Sequence, residues 1–329
     1  MNPAVDPSGG RAERRAAPKP ARHPLGGSAG VSAGRGVGVL QRWLPVATVL
    51  LAVLALWYGG AVGLNKAGAI ERVLPNSHPN GDWTVSDLVS VTLNMERPVL
   101  PAPHQVAADL YSSTVDWPLD SPRNLLFHAA VTAQSTLVGF VLGTLLGVVL
   151  AAAIVHSRTL DRALLPWIVA SQTVPVLAIA PIVLVILGSL GFSGVAPKAT
   201  IAMYLCFFPV TVAMVQGLRA PQRIETELMH TYAASKLQAF WLLRLPSALP
   251  YLFPSLRVAI AAGLVGAMVA ELPTGAQAGL GAKLLTGSYY GNTVGIWSAL
   301  VMSALLGLGL TSAVAGVERL VMRRGSAAQ

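Results

Sequence analysis

The sequence predicts an all-α protein that crosses a membrane about six times. Hydrophobic residues make up 53% of the 329 residues and charged residues only 11%, whereas soluble domains carry about 25% charged residues. A helix of about 20 apolar residues spans the hydrocarbon core of a bilayer, which is about 30 Å thick. Five runs without Asp, Glu, Lys or Arg reach that length: 43–65, 124–157, 163–197, 199–218 and 284–317.

A sixth span is expected at about residues 248–270, where Arg257 interrupts the apolar run and is predicted to extend toward an interface. The run 163–197 is longer than one span needs. It carries, among others, Pro166, Pro175, Pro181 and Gly188. Since proline removes a backbone donor, this run is predicted to be kinked or partly re-entrant.

The basic residues predict the orientation, because cytoplasmic loops retain an excess of Lys and Arg. With the N-terminus inside, all but six of the 23 basic residues fall on the cytoplasmic side, while the other side holds eight of the 14 acids. The six are Lys66, Arg72, Arg97, Arg123, Lys198 and Lys283. Both termini are therefore predicted to be cytoplasmic.

The predicted organisation follows from these spans. It consists of a disordered basic tail at 1–40, a first transmembrane helix at 41–65, an extracytoplasmic segment at 66–123, a core domain at 124–320 and a cytoplasmic tail at 321–329. The N-terminal tail is rich in Gly, Ala, Pro and Arg without an apolar period, and such a segment does not bury enough surface to order itself.

Several chemistries are not expected. The sole cysteine, Cys206, allows no intrachain disulfide, and the six histidines lack metal-ligand spacing. The sequence contains no GxSxG, HExxH or phosphate-cradling GxxxxGK[ST] motif, so the chain is not expected to hydrolyse ATP itself. The net charge of +9 is spread among the spans, which argues against nucleic acid as a partner.

A polar amphipathic stretch, ELMHTYAASKLQAFWLLRLPSALP, lies at residues 227–250 between two apolar runs. Its spacing resembles the cytoplasmic coupling motif of ABC importer permeases: Glu-Ala-Ala, three residues, Gly, nine residues, an aliphatic residue, one residue, Leu-Pro. Glu227, Leu243 and Leu245-Pro246 match that register. Leu228-Met229 replace Ala-Ala, and Ala233 replaces the Gly, so these sites stay apolar or small.

The resemblance implies a coupling helix at about residues 225–237 that inserts into a groove on an ATPase subunit. Ser235 and Phe240 join the matched residues as candidate coupling positions. Ala233 is interpreted as a small contact residue that lets the backbone approach the partner closely. Leu245-Pro246 are predicted to stop the helix, since proline disfavours helical geometry in the residue before it.

Two further segments resemble the same family. Gly139, Gly143 and Gly147 put small residues on one helix face, which allows close helix approach in a membrane. Gln172 and Thr173 precede Pro175 in an otherwise apolar run. Buried polar groups in hydrocarbon need partners, so these two side chains either line a translocation path or cap backbone groups that the prolines free.

Glu271 is interpreted as the only acid inside or at the rim of a span, in a string AELPTGAQAGLG that also resembles the family. The helix dipole disfavours an acid in a last turn, so a partner is expected. That partner is either a base such as Lys283 or the backbone donors of the turn Gly279-Leu280-Gly281. Glu271, Gly279 and Gly281 are candidate gate residues, and the alternative role of Glu271 is to fix the loop fold.

The resemblance covers about residues 98–324 and implies the type I ABC permease fold. It implies a second permease copy or paralogue, two cytoplasmic ATPase subunits that bind ATP and Mg, and an extracytoplasmic substrate-binding protein, with no cofactor in this chain. The resembling branch handles nitrate, sulfonates and taurine, and its relatives handle pyrimidine and riboflavin precursors. The alternatives are an ion-coupled secondary transporter, which should show inverted repeats and intramembrane acids, or a non-transporting scaffold.

Overall fold

The computed structural model describes residues 37–77, 81–273 and 278–326, and these residues form helices and no strands. By its internal contacts the chain divides into two units, 1–52 and 53–329. Most of the predicted N-terminal tail lies outside the described residues, and 37–40 already belong to the first helix.

Thirteen α-helices are found in the described ranges. They are α1 Val37–Gly68, α2 Leu74–Ser77, α3 Val85–Leu93, α4 Pro103–Val115, α5 Leu125–His156, α6 Arg158–Ser171, α7 Val176–Ser189, α8 Val195–Leu218, α9 Arg223–Thr231, α10 Lys236–Ala239, α11 Leu245–Glu271, α12 Leu280–Tyr290 and α13 Thr293–Ser326. π-helical turns at Ala69–Val73 and Phe240–Arg244 join α1 to α2 and α10 to α11.

Five helical stretches in the described residues are long and apolar enough to cross a membrane. They are Leu44–Ser77, Leu125–His156, Val195–Leu218, Lys236–Glu271 and Thr293–Arg323. The pair α6 and α7 makes a sixth if it is counted as one span, bent by 103° at the break between them. The predicted interruption of the run 163–197 is therefore confirmed, and the break contains Pro175, whose missing N–H weakens a continuous helix.

Two helix boundaries differ from the apolar runs of the sequence. The first helical stretch continues through the π-turn to Ser77, beyond the predicted span end at 65. The predicted single run 284–317 is divided between α12 and α13. Gly291 ends α12 in the left-handed region with φ +65, and the side-chain oxygen of Asn292 accepts from Gly295 N at 2.9 Å to begin α13. Glycine after a helix and asparagine before the next are favoured for these conformations.

The core forms where α8 packs against α5 and α11. The predicted close approach on the glycine face of α5 is confirmed, and the helix that packs there is α8. A β-carbon on Gly143 would lie 2.6 Å from Cβ of Cys206, and one on Gly147 would lie 2.9 Å from the Phe207 carbonyl oxygen. Cys206 is fully buried and donates to the Ala259 carbonyl of α11 at 3.1 Å. The missing side chains let the helix backbones approach closely, which is how helices associate in lipid.

Arg257 and Glu318 form an ion pair between α11 and α13. The sequence predicted only that Arg257 extends toward a membrane interface, and it did not predict Glu318 as its partner. The interpretation of Glu271 as the only acid within a span is wrong, because Glu318 lies in the apolar stretch Thr293–Arg323. Pairing explains how both charges are accommodated there, since ionisable groups within membrane helices pair with one another.

Asn65 fixes the segment that follows α3. Its side chain is buried, donates to the carbonyls of Thr92 at 3.2 Å and Leu100 at 2.9 Å, and accepts from Val99 N at 2.7 Å. One amide thus replaces the hydrogen bonds that this irregular backbone lacks. These hydrogen bonds hold the segment between α3 and α4 against α1.

Candidate functional site

The coupling segment, defined here as residues 223–244, connects the end of α8 to the start of α11. Its first helix, α9, begins after Gln222, whose backbone N–H donates to the Glu225 carboxylate at 2.8 Å. Arg223 and Glu227 form an exposed ion pair one turn apart at 2.8 Å. Exposed pairs of this kind contribute little to stability, so Glu227 remains available to a partner.

Ala233 breaks the predicted coupling helix. The helix 225–237 expected from the sequence ends at Thr231, and Ala233 has φ +51, the left-handed conformation that side chains with a β-carbon disfavour. It is the one non-glycine residue with positive φ in the described part of the chain. The glycine of the family pattern is thus explained by backbone conformation, whereas the sequence had suggested only a small contact surface.

The second half of the coupling segment restarts at Ser235. Its backbone N–H donates to the Gln238 side chain at 2.8 Å, and Gln238 N donates back to the Ser235 hydroxyl at 3.3 Å, which is a capping box. The predicted stop at Leu245-Pro246 is wrong, because the chain stays helical from Lys236 to Glu271. The π-turn Phe240–Arg244 widens the backbone before Pro246, where a regular α-turn would clash with the proline ring.

The coupling segment contacts the end of α5, and the residue that follows α8 is paired with α6. The Phe240 ring lies 5.1 Å from the His156 ring at the end of α5. Arg219, just after α8, pairs with Asp161 of α6 at 2.9 Å. These contacts connect the coupling segment and the residues before it to the helices of the core.

A polar cluster lies at the opposite end of α8 and α11. Glu271, the last residue of α11, is fully buried, and its carboxylate accepts from the Thr132 hydroxyl at 3.0 Å and from Gly281 N at 2.8 Å. Of the expected backbone donors in the turn Gly279-Leu280-Gly281, Gly281 N is confirmed as a donor to Glu271. This hydrogen bond offsets the unfavourable position of an acid at a helix C-terminus.

The charged partner of Glu271 is Lys198, whose Nζ lies 3.5 Å from the carboxylate and donates to the Ala278 carbonyl at 2.9 Å. The sequence had suggested Lys283 as an example, and it had placed Lys198 in an outside loop. Lys198 instead lies in the first turn of α8 and is 7% exposed. Residues 73 positions apart are brought together because α8 and α11 pack side by side.

Three successive backbone N–H groups of the turn each donate to a different side chain. Gly279 N donates to His128 Nδ1 at 3.0 Å, Leu280 N to the Thr132 hydroxyl at 2.8 Å, and Gly281 N to Glu271. His128 also contacts the Pro122 carbonyl through Nε2, which fits the tautomer with its proton on Nε2. The turn thereby joins α5, α11 and α12.

Gln172, Thr173 and Pro175 lie at the break between α6 and α7 and are exposed. The Thr173 hydroxyl donates to the Ala170 carbonyl at 2.7 Å, and Tyr204 from α8 donates to the Ser171 carbonyl at 2.5 Å. Tyr204 is near the middle of α8, so the break lies well within the span of that helix. Thr173 therefore bonds a backbone carbonyl at the break, as the capping alternative expects. A role of Gln172, Thr173 and Pro175 in the translocation path stays a prediction.

A cavity of about 830 Å³ borders the polar cluster. It is lined by α5, α7, the loop before α8, the first turn of α8 and the turn after α11. Most of its walls are apolar, and its polar groups come from Gln134, Ser193 and Lys198. Its volume lies within the range of small-molecule sites, about 300–1,000 Å³.

The sequence interpretation missed His128, Thr132 and Lys198 as members of the cluster. A signal for the first two was present: they are spaced by four residues, on the helix face that continues into Thr136 and Gly139. A signal for Lys198 was its position as a lone cation between two charge-free runs.

Comparisons with known proteins show the family of the chain. Residues 143–324, more than half of the chain, match the family described as the binding-protein-dependent transport system inner membrane component. The chain belongs to this family. The coupling segment, Lys198, Glu271 and the turn Gly279-Leu280-Gly281 lie within the matched residues, whereas His128 and Thr132 lie before them.

Similar proteins are permeases of ABC transport systems. The permease is 32% identical to the formylaminopyrimidine transport permease ThiX of Halalkalibacterium halodurans, over 68% of this chain and 85% of that protein. It is 31% identical to the riboflavin transport system permease RibX of Chloroflexus aurantiacus, over 68% and 80%. It is 28% identical to the taurine transport system permease TauC of Escherichia coli, over 69% and 81%.

The protein is therefore a multi-pass, all-α permease subunit of an ABC importer with the type I fold. Its similar proteins are likewise permease subunits of ABC transport systems, and such subunits are not themselves enzymes.

Proposed function

We propose that the coupling segment docks a cytoplasmic ATPase subunit. The observation that carries the proposal is an exposed apolar stripe along α9 and its C-cap residue: Ile224, Leu228 and Tyr232, spaced by four residues, are 71%, 55% and 77% exposed. Spacing by four places them on one helix face. An amphipathic helix of this kind binds by laying its apolar face into a groove on a partner.

In the proposed complex, two permease subunits span the membrane and two ATPase subunits bind ATP and Mg. This chain needs no cofactor of its own. Closure of the ATPase pair would move the two coupling segments and switch the permease pair between inward-open and outward-open states. The second permease is either a second copy of this chain or a paralogue.

The break between α6 and α7 supports the need for a second permease subunit. Residues 172–175 are exposed in the single chain, yet they lie beside the middle of α8. Non-helical backbone at membrane depth is tolerated only where protein covers it or where it lines a water-filled cavity. A second subunit or a solvated path would satisfy that requirement, which is consistent with Gln172 and Thr173 as path residues.

The proposed cargo is a small polar solute that an extracytoplasmic binding protein delivers to the outer end of the permease. The similar proteins are named for formylaminopyrimidine, riboflavin and taurine transport. These names include two chemistries, N-heterocycles and a sulfonate. The proposed location is the bacterial plasma membrane, with both termini in the cytoplasm.

Docking to a cytoplasmic ATPase requires the coupling segment to face the cytoplasm, and thiol labelling tests this. With Cys206 replaced by Ser, single cysteines are placed at Ser86 in α3 and at Ser235 in the coupling segment. An impermeant thiol reagent added to whole cells is expected to label Ser86→Cys but not Ser235→Cys, because only α3 lies on the outer side.

Permeabilised cells supply the control, since both positions are exposed and both should then react. Labelling of Ser235→Cys in sealed cells would put the segment outside and overturn the proposed docking role.

A further inference from the structure

The cavity of about 830 Å³ beside the polar cluster has an unusual charge balance. Among the described residues that line it, Lys198 is the only ionisable one. Its Nζ already pairs with Glu271 and donates to the Ala278 carbonyl, and its side chain is 8% exposed. The charge of Lys198 is therefore compensated by the buried Glu271 carboxylate.

This balance disfavours an anionic solute. An anion entering the cavity would lose its hydration and find a lysine that is already paired, and burying a charge without a partner is costly. An uncharged solute would not pay that cost. Apolar walls with a few polar groups are typical of sites for drug-sized molecules.

The remaining lining residues fit a flat ring with polar edges. Phe192 offers an aromatic face, and offset stacking of rings is favourable. The Gln134 amide both donates and accepts, and the Ser193 hydroxyl does the same. Ring nitrogens and carbonyls present the matching acceptors and donors.

We infer that this cavity is the permease's own solute site and that it takes an uncharged planar N-heterocycle rather than a sulfonate or similar anion. The inference rests on the proposed transport function and narrows its cargo. The Lys198–Glu271 pair keeps the site electrically neutral, so Glu271 acts as a positioning residue that controls charge selectivity without touching the solute.

The potential of the cavity can be measured with charged thiol reagents on the full-length permease in lipid nanodiscs. In a Cys206→Ser background, Gln134→Cys is reacted with anionic, cationic and neutral methanethiosulfonates of similar size. The anionic-to-cationic rate ratio is expected to match that of an exposed control, Ser86→Cys, within about threefold. A ratio raised about tenfold or more at Gln134→Cys would overturn the inference, because it would show an uncompensated cation.

Adding Glu271→Gln should raise the ratio at Gln134→Cys about tenfold, since Lys198 then loses its counter-charge, while Ser86→Cys stays unchanged. Lys198→Gln should lower the ratio. If the anionic-to-cationic rate ratio at Gln134→Cys were unchanged in both variants, the Lys198–Glu271 pair would not control the charge of the cavity. If the Glu271 variant fails to fold, the first measurement in the intact pair still decides the inference.

Solute protection completes the test. Millimolar uracil or riboflavin is expected to slow labelling of Gln134→Cys about threefold or more, whereas ethanesulfonate should leave the rate unchanged. Protection by ethanesulfonate, or by none of the three, would overturn the inference. The permease is assayed without an ATPase, so these labelling rates do not depend on ATPase docking. Docking itself is tested separately by co-purification of the ATPase.

Discussion

Gly279→Ala should destabilise the permease strongly, and more than the same substitution at Gly291. Gly279 has φ +129, a conformation that is essentially restricted to glycine and costs about 1–3 kcal/mol for other residues. Its added β-carbon would also overlap the Glu271 carboxylate. Displacing that carboxylate breaks a buried ion pair, which costs about 3–5 kcal/mol. The measurement is thermal stability of the solubilised protein, followed by size-exclusion chromatography.

Gly291→Ala is the matched control. Gly291 also has positive φ, +65, but no heavy atom beyond its chain neighbours lies within 4 Å of a β-carbon there. Its substitution should cost only the left-handed backbone penalty, about 1–2 kcal/mol. Equal losses for the two variants would mean that contact with Glu271 contributes nothing and that only backbone conformation matters.

Ala233→Glu should leave the permease inserted in the membrane but remove ATPase binding and uptake. Ala233 is exposed in the free chain, so the larger side chain has room until a partner docks. An unpaired charge buried by docking costs several kcal/mol, and about 1.4 kcal/mol already gives a tenfold loss of affinity. Co-purification of the ATPase and solute uptake by cells are the measurements.

Ala233→Gly should preserve both properties and stabilise the turn by about 1 kcal/mol, because glycine adopts φ +51 without the left-handed penalty. Ala108→Glu, on the exposed face of α4, controls for the added charge and should behave as wild type. Normal ATPase recovery with Ala233→Glu would exclude the turn from the docking surface.

Hydropathy predicted most of the fold, because a membrane span requires a long apolar run and the bilayer fixes its length. It could not predict the division at Gly291 and Asn292, since both helices there are apolar and only the two turn residues mark the boundary. It also missed the continuation of helix past Pro246, where a π-turn accommodates the ring.

The candidate residues were predictable where the signal was local. Glu271 and its glycine turn are neighbours in the sequence, so their contact followed from chain proximity. Lys198 could not be matched to Glu271 in this way, because the pair depends on how α8 and α11 pack. The conformation of Ala233 was hidden for a different reason, as alanine is a good helix former and its left-handed φ is imposed by the surrounding turn.

Photo-crosslinking from the coupling segment tests the central claim most directly. A photoreactive phenylalanine analogue is placed at Leu228, on the exposed stripe of α9, and at Val85, an apolar and even more exposed position in α3. In membranes that contain the assembled importer, Leu228 is expected to form an adduct with the ATPase subunit, and Val85 is expected to form none. An importer that is active and intact but gives no ATPase adduct from Leu228, or gives one from Val85, would contradict the account.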